Sequence, residues 1–258
     1  MRRAATGCAS SWIPPPASGA TSPRPDGLPR AAADDGAAAD DEPTEVEFKF
    51  GVTDPRPLRA LLRAPAPEAL AGFEPVGPPE RRDVTDRYLD TAVTGGRLET
   101  AGYRARLRGG HGGIELTVKR RGTYVGALSE RLELKGAANR SRRPATWPPS
   151  VARDRLLAIA GPGPLVEVAA LRQGRLVRLV RRGATEVELS LDALEGLDGE
   201  RVAARRWEVE IELIGGDRAA LEELASVIRR LPGVVDPEGS KLDFARAARG
   251  LPPRGRAL

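Results

Sequence analysis

Polar and apolar residues alternate from Glu45 to Phe50: Glu45, Glu47 and Lys49 fall on one side, Val46, Phe48 and Phe50 on the other. A period of two predicts a β-strand, over about 44–52, with one face for a core and one for charge. The same alternation returns at 103–108, 114–119, 127–135, 185–194 and 206–214. A further strand is predicted at 83–91, stopped by Gly95-Gly96, and a long one at 165–181. Helical spacing is rarer. Asp54-Pro55 opens a short helix carrying Leu58, Leu61 and Leu62. Val151, Leu156, Leu157 and Ile159 predict a second over 151–160. Asp217 caps an amphipathic helix whose apolar side is Leu221, Leu224, Val227, Ile228 and Leu231. Ser240 caps a last short helix that carries Lys241. Pro- and Gly-rich segments through Pro79 and at 136–150 read as loop and linker. About eight strands in hairpin-like order with a few helices predict an α+β, mainly β architecture. It is an antiparallel barrel or a strongly curved sheet, with helices covering it from outside.

The charged faces are sorted by strand. Arginines dominate 104–108 and 172–178, and carboxylates dominate 45–47, 186–192 and 208–212. Arg172, Arg175 and Arg178 do not keep a period of two, so the arginine that shares the charged face is open. One charged face alone is the ordinary wet side of a half-buried sheet. Residues two apart on a strand sit ~6.7 Å apart on one face. Two carboxylates there repel by roughly 0.6 kcal/mol in water, and by roughly 2.5 kcal/mol at an effective dielectric of about 20. If the sheet closes, these faces line a lumen and the acidic ones need cations. A lumen with a basic wall and an acidic wall suits a polyphosphate with divalent cations. Arg and Lys take phosphate oxygens, and clustered carboxylates hold Mg²⁺ or Mn²⁺.

Composition sharpens this picture. Of 41 basic residues only four are lysine: Lys49, Lys119, Lys135 and Lys241. In so arginine-rich a background each lysine marks a position where a compact ammonium serves better than a flat guanidinium. The net charge of +5 attracts polyanions in general. No helix shows a basic face and no basic run is interleaved with aromatics, so no nucleic-acid partner is expected. Residues 1–42, rich in Ala, Pro, Ser, Gly and Asp, read as a disordered tail, and 251–258 as a flexible end. The stretch 43–250 is long enough for one domain with a real core. The start lacks the apolar run of a signal peptide, and no segment approaches the ~20 apolar residues of a membrane helix. Cys8 is the only cysteine, which excludes an intrachain disulfide and a cysteine metal site. The expected location is the cytoplasm, with no membrane partner. His111, the single histidine, sits in a Gly-rich turn, so no histidine base is available.

Glu45-x-Glu47-x-Lys49 opens the patterned region, followed by Asp86-Arg87-Tyr88-Leu89-Asp90-Thr91, Arg106-Leu107-Arg108 and Leu116-Thr117-Val118-Lys119. Arg131-x-Glu133, Arg172 to Arg178, Glu186 to Asp192, Glu208-x-Glu210-x-Glu212 and Ser240-Lys241 come next. In this order the set resembles the CYTH domain of the triphosphate tunnel metalloenzymes, over about 44–249. Three of the four lysines fall on that family's lysine positions. Arg104, the long tail and the 136–150 linker depart from its pattern.

The resemblance implies a closed, eight-stranded antiparallel tunnel over 43–250 that binds a triphosphate with Mg²⁺ or Mn²⁺. Glu45, Glu47, Glu208 and Glu210 would hold metal, with Glu133, Glu188 and Asp192 as further candidates. Lys49, Arg106, Arg108, Lys119, Arg131, Arg172, Arg175 and Lys241 would hold phosphates. Glu45, Glu47 and Lys49 would form the catalytic set. The expected reaction is hydrolysis of an inorganic or organic triphosphate, and the expected partner is a triphosphate-bearing small molecule or polyphosphate. Phosphoryl transfer asks mainly for positioning and charge neutralisation, so no Ser, Cys or His nucleophile is required. Lys49 is a poor base, because bound phosphates stabilise its ammonium. A class IV adenylyl cyclase making cyclic AMP from ATP is an alternative reading, and a non-catalytic polyphosphate binder is a third.

Overall fold

A computed structural model describes residues 42–110 and 112–252. The tail readings at 1–42 and 251–258 fall almost wholly outside the described residues, as do Cys8 and the turn reading of His111.

The alternating stretches all form strands. The first half of the chain builds β1 (Thr44–Val52), α1 (Arg56–Arg63), β2 (Glu74–Asp90), α2 (Arg97–Thr100), β3 (Tyr103–Gly110), β4 (Gly113–Arg120), β5 (Thr123–Val125) and β6 (Leu128–Ala138). The second half builds α3 (Val151–Ala160), β7 (Val166–Arg182), β8 (Thr185–Asp198), β9 (Arg201–Gly215), α4 (Arg218–Arg229), β10 (Val234–Val235) and α5 (Lys241–Ala247). Neighbours run β1-β9-β8-β7-β2-β3-β4-β6, and β6 pairs back to β1. Every pairing is antiparallel, so eight strands close into a barrel and leave no long free edge to recruit another chain.

Three boundaries differ from the sequence reading for physical reasons. Strand β2 begins at Glu74, with Pro75, Pro78 and Pro79 inside what reads as a loop. Its pairing to β7 breaks between Val76 and Glu80, and β3 pairs only with Thr85 to Leu89, so Pro78 and Pro79 occupy a bulge and Pro75, opposite Val180, lies on an edge segment. Strands β8 and β9 extend beyond 194 and before 206 to a two-residue turn at Gly199-Glu200, where Gly199 supplies a φ of 63°. Strand β6 reaches Ala138, inside the segment expected to be linker.

Four helices cover the barrel from outside. Leu58 and Leu62 of α1 and Leu221, Leu224 and Ile228 of α4 pack on the outward Phe50, Leu189, Leu191, Val209 and Ile211. Leu98 of α2 and Leu156 of α3 close over Leu107, Leu116, Leu132 and Leu134. Each fully buried Leu, Ile or Phe of these layers stabilises the fold by about 1.5–3 kcal/mol. Helix α5 is the exception to the expected outside covering. Its Leu242 and Ala245 pack on Tyr88, Ala169, Leu171 and Leu194. By strand register these share the inward face with Asp86 and Gln173, so α5 stops one end of the bore. Gly196 permits the approach: a Cβ there would lie 2.6 Å from the Cβ of Ala248.

Candidate functional site

Closure turns the charged faces inward. They line a cavity of about 370 Å³. Twelve Lys or Arg side chains and seven Glu side chains border it among the described residues. Asp86, Asp192 and Glu208 are buried at the bore's periphery, at 0%, 0% and 2% exposure. Such a density of buried charge is costly unless each group finds a partner.

One wall gathers carboxylates. Glu45, Glu133 and Glu212 each place one oxygen within 4.8 Å of the others. They come from strands β1, β6 and β9, which closure makes neighbours: Glu47 stands opposite Glu212, and Glu45 opposite Arg131. Burial, and then the charge of Glu45, push the Glu212 carboxyl up to about 7. Burial also pushes Glu47 up, against the pull of Arg131 and with Glu210 and Glu45 adding to the rise. Glu133 goes the other way. Burial alone raises it, but the ammoniums of Lys119 and Lys135 bring it down to about 2.

The cations expected to take phosphate are held by these acids. Lys119 Nζ donates to both oxygens of Glu45, at 2.7 and 2.8 Å, and lies 3.0 Å from Glu133. Arg131 donates to Glu45 at 2.7 Å, Glu47 at 2.5 Å and Ser129 at 3.1 Å. Lys135 stands 3.0 Å from the other Glu133 oxygen. Lys119, Arg131 and Lys135 thus pair with Glu45, Glu47 and Glu133.

Opposite stands a wall of arginines on a single anchor. Asp86 accepts from Arg106 at 3.2 Å, twice from Arg108 at 2.7 and 2.8 Å, and from Gln173 at 2.5 Å. Burial alone would raise this carboxyl, but the Arg106 and Arg108 guanidiniums hold it at about 2. Arg106 also donates to Thr117 at 3.1 Å. Near α5, Lys241 Nζ donates to Asp192 at 2.5 Å and Glu210 at 2.9 Å. Burial alone would lower that ammonium, but Asp192 and Glu210 hold its pKa above the ordinary lysine value. Arg175 joins the group, donating to Asp192 at 2.9 Å and Ser190 at 2.6 Å. Lys49 donates to the Gly239 carbonyl at 2.7 Å and lies 3.9 Å from Glu208.

Most sequence-predicted residues therefore meet around one bore, with sharper divisions than expected. Arg172 is the correction. It lies on the outer face, 49% exposed and 3.4 Å from Glu195. Register sets Arg175 opposite the inward Asp192, so the odd spacing of three turns Arg172 and Arg178 outward. Asp192 and Glu208 lie apart from the carboxylate cluster, each held by protein cations: Lys241 and Arg175 on Asp192, Arg206 on Glu208. Glu188 pairs with Arg82 at 3.1 Å on the side wall. Asp86, Glu212, Arg82 and Lys135 were not among the predicted site residues. Period-two counting from Tyr88 and from Glu208-x-Glu210 was the available signal for the first two.

A closed antiparallel barrel whose bore sorts carboxylates from cations defines a class of charged-tunnel protein. The CYTH domain model matches residues 43–238, and the chain belongs to the CYTH domain family. A Hippeastrum protein, HpAC1, named as an adenylyl cyclase and described as having a dominant triphosphatase activity, is similar in fold. It is 19% identical, with a TM-score of 0.59 over 81% of this chain and 98% of its own. PH1819 of Pyrococcus horikoshii OT3 is 21% identical, with a TM-score of 0.45 over 78% and 97% of the two chains. The Mimivirus capping enzyme triphosphatase is 12% identical, with a TM-score of 0.39 over 71% and 88%. No curated protein matches the sequence. No helix among the described residues is long and apolar enough to cross a membrane.

Proposed function

We propose that this chain is a divalent-metal-dependent triphosphate phosphohydrolase. One observation carries the reading: a three-carboxylate cluster and a row of anchored arginines face each other across a single enclosed bore. Membership of the CYTH family, with a triphosphatase among the similar folds, supports an enzyme of this kind.

The donor set fits a hard divalent cation. Glu45, Glu133 and Glu212 offer oxygens only, which suits Mg²⁺ or Mn²⁺. Burial and then the charge of Glu45 raise the Glu212 carboxyl, and a bound cation would favour its ionised form. When bound, the metal supplies the positive charge that lets a phosphate lie beside carboxylates. Glu47 and Glu210 are the flanking acids of this wall. Arg106 and Arg108, oriented by Asp86, present their free donors to phosphate oxygens. Lys119 and Arg131, paired with Glu45 and Glu47, would take phosphate oxygens in place of those carboxylates. Lys49, Arg175 and Lys241 bind the far end of the chain. No side-chain nucleophile takes part; a carboxylate of the cluster orients the attacking water.

The test is phosphate release across tripolyphosphate, ATP and thiamine triphosphate, with Mg²⁺ and Mn²⁺ titrated. Metal-dependent release from at least one is expected. A folded chain that releases phosphate from none refutes the reading, and cyclic AMP from ATP replaces it with a cyclase.

A further inference from the structure

Arg140 and Arg142 come from residues 136–150, the segment that departs from the CYTH pattern, and neither borders the bore. They border a second cavity, of about 680 Å³, on the outside of the barrel. Asp86 faces the bore, so Thr85 and Arg87 face out, and the register sets Gly109 beside Thr85 and Leu107 beside Arg87. Ile114 of β4 continues the row from Gly109. The outer cleft shares no lining residue with the bore. Its floor is apolar or bare: Leu107 is buried and Ile114 half-buried. A Cβ on Gly113 would meet nothing within 4 Å, and one on Gly109 only the Thr85 carbonyl, at 4.0 Å. The glycines therefore leave open space that a side chain would fill. The rim is basic. Arg87 and Arg142 donate to the same oxygen of Glu167, at 2.7 and 3.1 Å. Arg140 is exposed and has no ion pair or side-chain hydrogen bond among the described residues. Three guanidiniums thus share one carboxylate, which leaves two positive charges in excess. Their loop is braced. Asn139 Oδ1 accepts from the Ser141 N–H at 2.8 Å, the Ser141 carbonyl from the buried Trp147 indole at 3.0 Å, and the Arg142 carbonyl from the Leu165 N–H at 2.8 Å.

We propose that this outer cleft binds a small organic phosphate monoester, its phosphate on Arg87, Arg140 and Arg142 and its uncharged body over Leu107, Ile114 and the glycines. The inference stands whether or not the bore hydrolyses a triphosphate. A cavity of this size falls in the range of small-molecule sites and is far larger than one inorganic phosphate needs. The charge of the rim selects the head group. A phosphomonoester carries about −1.5 to −2 at pH 7, which matches the two charges in excess. A monocarboxylate meets half of that excess. Guanidinium forks take phosphate oxygens in pairs, and a braced loop presents two of the three at little cost in ordering. The apolar and bare floor selects the rest of the ligand, because a bare inorganic ion would leave it unfilled.

The experiment is calorimetry in chelator on the full chain, with adenosine 5′-monophosphate, adenosine and inorganic phosphate as probes. Two variants act on different parts of the cleft. Arg140→Glu reverses a rim charge on an exposed loop residue. Gly109→Val fills the floor without changing charge, at a strand position where the added Cβ meets no clash. Circular dichroism and Tm confirm that both fold. The native chain is expected to bind the monophosphate more tightly than either adenosine or inorganic phosphate. Each variant is expected to weaken that binding by about tenfold or more, the scale of a lost charge-assisted contact. No binding of the monophosphate at millimolar concentration overturns the site. Native affinity in both variants also overturns it, since the ligand then sits in the bore. Inorganic phosphate bound as tightly as the monophosphate overturns the assignment of an organic ligand.

Discussion

Asp86 shows how one buried carboxylate organises several cations. It is fully buried, yet ionised, because two guanidiniums and an amide satisfy its lone pairs. Its folded value of about 2 lies below the ordinary 3.8. A depressed carboxyl adds stability above its unfolded pKa, and that share is lost as pH falls through the folded value. The difference is worth roughly 2 kcal/mol. Asp86→Asn removes it, so the native-minus-variant stability difference shrinks as pH falls from 5 toward 2. Urea unfolding across that range measures it; a gap independent of pH contradicts the ion-pair account. The second expectation at this scale concerns Glu212. If it completes the metal cluster, Glu212→Gln weakens Mn²⁺ binding by about tenfold, or about 1.4 kcal/mol. Calorimetry with the metal alone reads this, and an unchanged affinity removes Glu212 from the cluster. Asp86 was visible in the sequence as a member of a strand, but its importance was not. That depends on which side chains the barrel brings to it, and Gln173 and Arg108 come from segments far apart in the chain.

Among the elements, α5 and α2 tie local chemistry to the bore. Ser240 and Asp243 form a reciprocal capping box, with Ser240 Oγ accepting from the Asp243 N–H at 3.2 Å. The cap fixes the start of α5 and thereby places Lys241 against Asp192 and Glu210. Ser240→Ala costs about 1 kcal/mol in thermal or urea unfolding. It also raises KM for triphosphate, which a cap without a role at the bore would leave unmoved. Helix α2 is held in another way. Asp90 accepts from the backbone N–H groups of Thr91, Leu98 and Glu99. Gly96 has a φ of 68°, and a methyl group there would collide with the Asp90 carboxylate. Gly96→Ala is therefore expected to lower stability by about 1–3 kcal/mol, from the strained φ and the displaced carboxylate. The helix caps at Asp217 and Ser240 were legible in sequence because a cap is local. The prolines of β2 misled because a proline tolerated on an edge looks the same, in sequence, as one that ends a strand. The outward turn of Arg172 was hidden for a similar reason: parity on β7 is set by its register with β8, not by its own sequence.

At the scale of the whole molecule, barrel closure converts ordinary amphipathic strands into a site. Charged faces that would be inexpensive in water become partners across an enclosed bore, where an unpaired charge is costly. The strand pattern and the sorting of sign by strand anticipated an antiparallel barrel or a strongly curved sheet and most of its lining, and the family resemblance implied its closure. Which acid meets which base was not readable, because it follows from stagger among eight strands. The pairing of Lys119 and Arg131 with Glu45 and Glu47 has a thermodynamic consequence. On the proposed function, a cation on the acids would leave Lys119 and Arg131 free for phosphate and phosphate would leave the acids free for the cation, so each ligand would strengthen the binding of the other, by the same factor in both directions. Triphosphate binding measured by calorimetry in chelator is expected to be at least about tenfold weaker than in Mn²⁺. The central claim is tested most directly by phosphate release from tripolyphosphate by the full chain, with Mn²⁺, with chelator, and in the Glu133→Gln variant. Release that requires Mn²⁺ and falls by about a hundredfold or more in the variant is the predicted result. Release that persists in chelator, or that survives Glu133→Gln unchanged, contradicts it.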